Sequence, residues 1–240
     1  QRGHRVTLCE ASGALGGNLR CETNVPFKAA FPKYIETMTR RMELAGVEVR
    51  LNTPVTPEFV REFAPDALFV AVGAEAARPP IPGLDGANVV FGTELERREG
   101  EIGRRVAVIG GGLVGCESGL YLAQKGHEVT IVELREEVAR DANPRHRPAL
   151  MAELAAHATV RTGLRVTGIV PKGVLCESGT GEKQLIEADT VLCAAGLRPR
   201  NEIADALRGT APIVELIGDC VKPDIIRGAT WRAYHAALDL

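Results

Sequence analysis

At 240 residues, 45% of them hydrophobic, the chain can form one large domain or two modest ones around a sizeable core. Its formal net charge of −2 gives no reason to expect nucleic acid or a membrane as partner, and no apolar run approaches the ~20 residues of a transmembrane helix. The opening Gln1-Arg-Gly-His-Arg-Val lacks the pattern of a signal peptide, and the cysteines at 9, 21, 116, 176, 193 and 220 have neither Cys-x-x-Cys nor metal-ligand spacing, so a cytoplasmic protein with reduced, packed thiols and no metal site is expected.

Arg5 to Cys9 is expected to form a strand ending at Glu10, followed by a glycine-rich loop from Gly13 to Asn18. Helical apolar spacing runs from Pro32 to Leu44 and stops before Gly46, a C-capping glycine. Val47 to Leu51 reads as a strand. A short helix follows, with Thr56 as N-cap and Pro57 at the first helical position. Leu68 to Val72 reads as a buried strand, and Arg78-Pro-Pro-Ile-Pro-Gly as rigid connector.

Val106-Ala-Val-Ile109 suits a strand buried on both faces. Gly110-x-Gly112-x-x-Gly115 follows at once and opens a helix over 112–125, whose N-terminus offers N–H groups to a pyrophosphate. A second strand, Val129 to Val132, ends in Glu133, 21 residues after Gly112, where an acid binds a ribose 2′-hydroxyl. A lone GxGxxG is weak; strand, turn, helix, second strand and acid in register make dinucleotide binding the expectation. Next come a helix over 147–157, a strand over 160–162 and a β-meander over 164–170, 173–177 and 183–186. A strand over 190–194, a short helix over 201–207, a buried strand over 213–217 and a helical tail from Ile226 complete the chain.

Two stretches repeat at one offset. Arg2-Gly-His-Arg-Val-Thr-Leu-Cys-Glu10 matches Lys125-Gly-His-Glu-Val-Thr-Ile-Val-Glu133, and Asp66-Ala-Leu-Phe-Val-Ala-Val-Gly73 matches Asp189-Thr-Val-Leu-Cys-Ala-Ala-Gly196, equivalent positions lying 123 apart. Two related nucleotide-binding units follow from this. The first has no strand and glycine turn ahead of Arg2, so a fragment lacking them, with an open sheet edge, is expected.

Gly110-Gly-Gly-Leu-Val-Gly-Cys-Glu117, Ala194-Ala-Gly-Leu-Arg-Pro-Arg-Asn201 and Ile217-Gly-Asp-Cys-Val-Lys-Pro223 together resemble the flavoprotein fold with two Rossmann-like dinucleotide-binding units. With Leu15-Gly-Gly-Asn-Leu19 and Val25-Pro-Phe-Lys28, the chain is similar to the C-terminal half of NADH:flavin oxidoreductases of the old yellow enzyme class. That group includes 2,4-dienoyl-CoA reductase, clostridial enoate reductase and trimethylamine dehydrogenase.

The resemblance implies an α/β architecture with an FAD-binding unit over 1–82 and 210–240, a connector over 83–103 and an NAD(P)H-binding unit over 104–209. FAD would be contacted by Glu10, by Gly16 and Gly17, by Ala71, Val72 and Gly73, and by Gly218 and Asp219. NAD(P)H would be contacted by Gly110, Gly112, Leu113, Val114, Gly115, Glu117, Glu133, Ala195 and Gly196. Glu117 stands where related reductases place an acid near the nicotinamide. The group also implies an N-terminal (β/α)₈ barrel carrying FMN and an iron–sulfur cluster, which this sequence lacks. Competing readings stay open at three acids: a helix N-cap at Asp219, a solvated strand end at Glu10 and a solvated helix acid at Glu117.

NADH is expected over NADPH, because Glu133 accepts from a 2′-hydroxyl and repels a 2′-phosphate, although Arg135 lies nearby. The expected activity is hydride transfer from NADH to FAD and onward to the FMN domain, which would reduce an activated alkene such as an enoyl thioester. No catalytic side chain is assigned, since the cofactors carry the chemistry. The alternative is a structural module holding ADP or FAD without oxidising NADH. His4 and His127 are expected to be structural, and Trp231 and Tyr234 to pack the last helix.

Overall fold

The computed structural model describes Arg2 to Leu240. In chain order it begins with β1 (Thr7–Cys9), α1 (Ala30–Leu44), β2 (Glu48–Arg50), α2 (Pro57–Phe63), β3 (Ala67–Val70) and β4 (Ala74–Ala76). Then come β5 (Val89–Phe91), α3 (Leu95–Arg98), β6 (Arg105–Ile109), α4 (Leu113–Gln124), β7 (Glu128–Val132) and α5 (Arg147–His157). The strands β8 (Thr159–Arg161), β9 (Leu164–Val170), β10 (Gly173–Ser178), β11 (Lys183–Glu187) and β12 (Thr190–Cys193) follow. The chain closes with β13 (Leu197–Pro199), α6 (Asn201–Ala206), β14 (Ile213–Leu216) and α7 (Ile226–Leu238).

Two compact units result. One comprises the residues up to Thr23, Phe27–Glu75 and Leu197–Leu240; the other comprises Asn24–Pro26 and Ala76–Gly196. The second unit holds a five-stranded sheet in the order β5-β12-β6-β7-β8, parallel throughout. Its central strand β6 is apolar at every position from Val106 to Ile109 because both of its faces are covered. Val106 and Val108 join Leu120 and Leu122 of α4 and Leu150 and Leu154 of α5 in one cluster. Ala107 and Ile109, offset by one residue and so facing the other way, join Ile169 and Val174 of the antiparallel meander β9-β10-β11. The Ala77 amide donates to the Gly196 carbonyl at 2.9 Å, so the two ends of this unit meet.

The stretch expected as connector is more structured than its sequence implied. β5 is an edge strand of this sheet, and Val89, Val90 and Phe91 are all buried. Three residues between polar and glycine neighbours give too short a run to show a period.

The first unit carries two separate two-stranded parallel pairs, β1-β2 and β14-β3. Its core is small: Val60, Val70, Ala204, Leu207 and Cys220. α1 stops where Gly46 takes a φ of +72°. The Val47 amide reaches back to Met42 O and the Gly46 amide to Glu43 O, each at 3.0 Å, which satisfies two of the helix's terminal carbonyls. α2 starts at Thr56, whose hydroxyl accepts from the Phe59 amide at 3.2 Å. Neither α1 nor α7 buries a side chain. Trp231 and Tyr234, expected to pack the last helix, are instead 64% and 62% exposed, because none of the unit's described residues covers that face of α7. No helix among the described residues is long and apolar enough to cross a membrane.

Candidate dinucleotide-binding site

The turn from β6 into α4 is tightly packed at Gly110 and Gly115. Gly110 has a φ of +101°, and a side chain there would lie 2.6 Å from the Ala194 carbonyl oxygen at the end of β12. A side chain on Gly115 would run into the Gly110 carbonyl, so the helix packs directly on the turn it leaves. Gly112 is the N-cap residue of α4, and Leu113 and Val114 are its first two helical positions. By helix geometry their amides lack partners within the helix.

Glu133 projects from the end of the neighbouring strand β7 toward this turn. Its Oε2 accepts from the Gly111 amide at 2.7 Å, and its Oε1 accepts from the Arg135 amide at 2.9 Å. Each carboxylate oxygen has a second lone pair for a hydroxyl. The turn glycines, Glu133 and Ala195 therefore come together at the carboxyl edge of β6, β7 and β12, where ligands bind in open α/β sheets. Gly196, with a φ of +103°, ends the same strand connection.

Glu117 lies on α4 only 6% exposed. One carboxylate oxygen meets His146 Nε2 at 3.0 Å, so burial and a specific partner replace the solvated helix acid that was the competing reading. A second partner also escaped the sequence: the Leu113 amide donates to Asp141 Oδ1 at 2.8 Å. Asp141 and His146 stand 28 and 29 residues from their partners. No local pattern connects such distant positions.

In the first unit, Glu10, Ala71–Gly73 and Gly218-Asp219 follow β1, β3 and β14, each at a strand's carboxyl end. Glu10 Oε1 accepts from the Ser12 amide at 2.8 Å. Gly73 has a φ of +74°, and its carbonyl accepts from the Arg200 amide at 3.2 Å. Asp219 accepts from the Asp224 amide at 3.3 Å, while the N-cap of α7 is Ile225, so Asp219 does not cap that helix. Gly16 and Gly17 open a 3₁₀ turn, and Gly16 lies against Ile35 of α1. His127 Nδ1 donates to the Gly103 carbonyl at 2.8 Å, a structural contact.

The family model described as pyridine nucleotide-disulphide oxidoreductase matches residues 35–213. The chain belongs to that family. It therefore has the FAD- and NAD(P)-binding flavoprotein fold, as the resemblance to old yellow enzyme-class reductases implied. It is 35% identical over 243 residues to an NADH oxidase of Thermoanaerobacter brockii, covering 99% of this chain and 37% of that protein. A cinnamate reductase of Clostridium sporogenes is 32% identical over 249 residues, covering 100% of this chain and 36% of the relative. The structure of a 2-naphthoyl-CoA reductase in complex with 2-naphthoyl-CoA superposes with a TM-score of 0.93 at 27% identity, covering 100% of this chain and 36% of that one. The chain thus spans little more than a third of the length of these relatives.

Family members named for disulfide chemistry need a reactive thiol, and the buried thiols here are the opposite. Burial pushes Cys116 up to about 12 and Cys176 up to about 11. Both stay protonated at neutral pH and are poor nucleophiles. Cys220 donates to the carbonyls of Val70 and Ile217 at 3.2 and 3.1 Å.

Proposed function

We propose that the second unit binds NADH and the first unit FAD, in a flavin oxidoreductase that takes hydride from the nicotinamide. The observation carrying this reading is Glu133, hydrogen-bonded to Gly111 at the mouth of a complete glycine turn. The fit is good in the second unit: backbone can approach a pyrophosphate at Gly112, and Glu133 has lone pairs for a ribose. Bound flavin would supply the two-electron acceptor. The first unit fits one end of FAD, since Glu10 repeats the bond of Glu133 to the amide two residues on, while no glycine turn for a pyrophosphate stands among the described residues of that unit. Glu10, Ala71–Gly73 and Asp219 would contact the ribose and ribityl parts.

The relatives' names support an onward step outside this chain. One reduces cinnamate and another 2-naphthoyl-CoA, both conjugated acids or thioesters. The electrons would pass to an FMN- and iron–sulfur-bearing barrel elsewhere in the full enzyme, where an activated alkene such as an enoyl or dienoyl thioester is reduced. NADH is preferred because Glu133 accepts from a ribose 2′-hydroxyl and repels a 2′-phosphate. Titration with both cofactors tests this: NADH should bind more tightly, and Glu133→Ala should erase most of the difference. Tighter NADPH binding by the wild type, or unchanged selectivity in Glu133→Ala, refutes it.

A further inference from the structure

The segment joining β7 to α5 lies against the glycine turn and is fastened there by its backbone. Val138 and Ala139 are buried, and the Ala139 amide donates to the Gly111 carbonyl at 2.7 Å. Arg147 holds the carbonyls of Val138 and Ala139 at 3.0 and 3.2 Å. Ala142 is buried as well, its amide on Ala139 O at 3.2 Å. Asp141 projects between these anchors and places its carboxylate on the first amide of α4. A Cβ built on Gly112 would lie 3.7 and 3.8 Å from its two oxygens. Asp141 is exposed, and among the described residues the Leu113 amide is the only hydrogen-bond donor to its carboxylate. A negative charge of the chain itself therefore sits at the helix end whose dipole and unpaired amides favour an anion.

We infer that Asp141 is an internal stand-in for the cofactor's pyrophosphate, which must be displaced when the dinucleotide binds and so limits its affinity. The inference rests on the reading of this turn as the NADH site. One N–H cannot serve two anions, and a carboxylate left beside a pyrophosphate would be repelled. Because Ala139 and Ala142 are fixed by burial and backbone bonds, the release needs only rotation of the Asp141 side chain. The contact caps α4 and keeps the dinucleotide exchangeable.

The test is equilibrium titration of the full chain with NADH, read by nicotinamide fluorescence, in wild type, Asp141→Asn and Asp141→Ala. Asp141→Ala should bind NADH about tenfold more tightly, a gain that raised salt narrows. Asp141→Asn, which keeps a neutral cap and guards against a folding defect, should show a smaller gain. ADP-ribose should follow NADH in both variants, and adenosine, which has no pyrophosphate, should bind all three proteins alike. Unchanged or weaker NADH binding by Asp141→Asn, or equal tightening of adenosine, overturns the inference alone. If none of the three proteins binds NADH or ADP-ribose, the cofactor reading beneath it falls too.

Discussion

The two units build the same strand-end acid and surround it differently. In each, the acid's amide bonds the neighbouring strand: Glu10 to Arg50 O and Glu133 to Arg161 O, both at 2.9 Å. In each, the carboxylate accepts from the amide two residues on, at 2.8 Å from Ser12 and 2.9 Å from Arg135. In each, the acid's carbonyl accepts from the returning chain, from Thr53 at 2.9 Å and Leu164 at 3.0 Å. Gly73 and Gly196 repeat a positive φ after equivalent strands. Among the described residues, only the second unit has a strand joining the one that leads to the acid and the one that leads to the positive-φ glycine: β6 lies between β12 and β7, whereas β3 and β1 belong to separate pairs. The geometry the two acids share is thus made by one parallel pair and a two-residue turn, to which Glu133 adds its bond from the Gly111 amide. The anion site is not local; it needs the glycine turn and a helix packed onto it.

The largest expected effect follows from that contrast. Hydrogen bonds to a charged group contribute roughly 1.5–3 kcal/mol each, so a unit without the two or three turn amides should bind FAD weaker by several powers of ten. The purified 240-residue chain should be colourless and gain little flavin on reconstitution while still binding NADH. A yellow protein with one FAD per chain would break the comparison.

A smaller effect sharpens it. In α4 every residue from Gly115 to Leu122 is buried, whereas α7 buries none. Leu154→Ala, beneath α4 in the same cluster, should cost about 2–5 kcal/mol in urea unfolding of the second unit. Tyr234→Ala on the exposed face of α7 should stay within about 0.5 kcal/mol. Comparable losses at the two positions would show that α7 is covered in solution.

What the sequence made legible matches this division between local and distant. α5 falls on the expected residues 147–157, and the meander strands are within a residue or so, because period and turn chemistry are written into neighbouring residues. The paired glycine turn and Glu133 were readable for the same reason. Asp141 on Leu113 and His146 on Glu117 were not, since each contact is made by tertiary packing across a long loop. The exposure of Trp231 and Tyr234 was equally hidden: an aromatic stripe at helical spacing looks the same whether or not a neighbour covers it.

The bond joining Ala77 to Gly196 has a kinetic consequence. β3 and β14 must pair across the whole of the second unit, from Ala67–Val70 to Ile213–Leu216, a separation that makes such a contact slow to form. Once the second unit folds, that bond holds its two ends together and leaves only short arms to close. Loop-closure entropy changes by about 0.6 kcal/mol per doubling of length, so the shortcut lowers the closure cost by roughly 1.5 kcal/mol. The second unit, continuous in sequence apart from Asn24–Pro26, is free to fold first and then acts as a splint that tethers the arms leading to β3 and β14. In pulse-labelled hydrogen exchange during refolding, the amides of β6 should be protected before those of β3; the reverse order would show that the first unit closes without the splint.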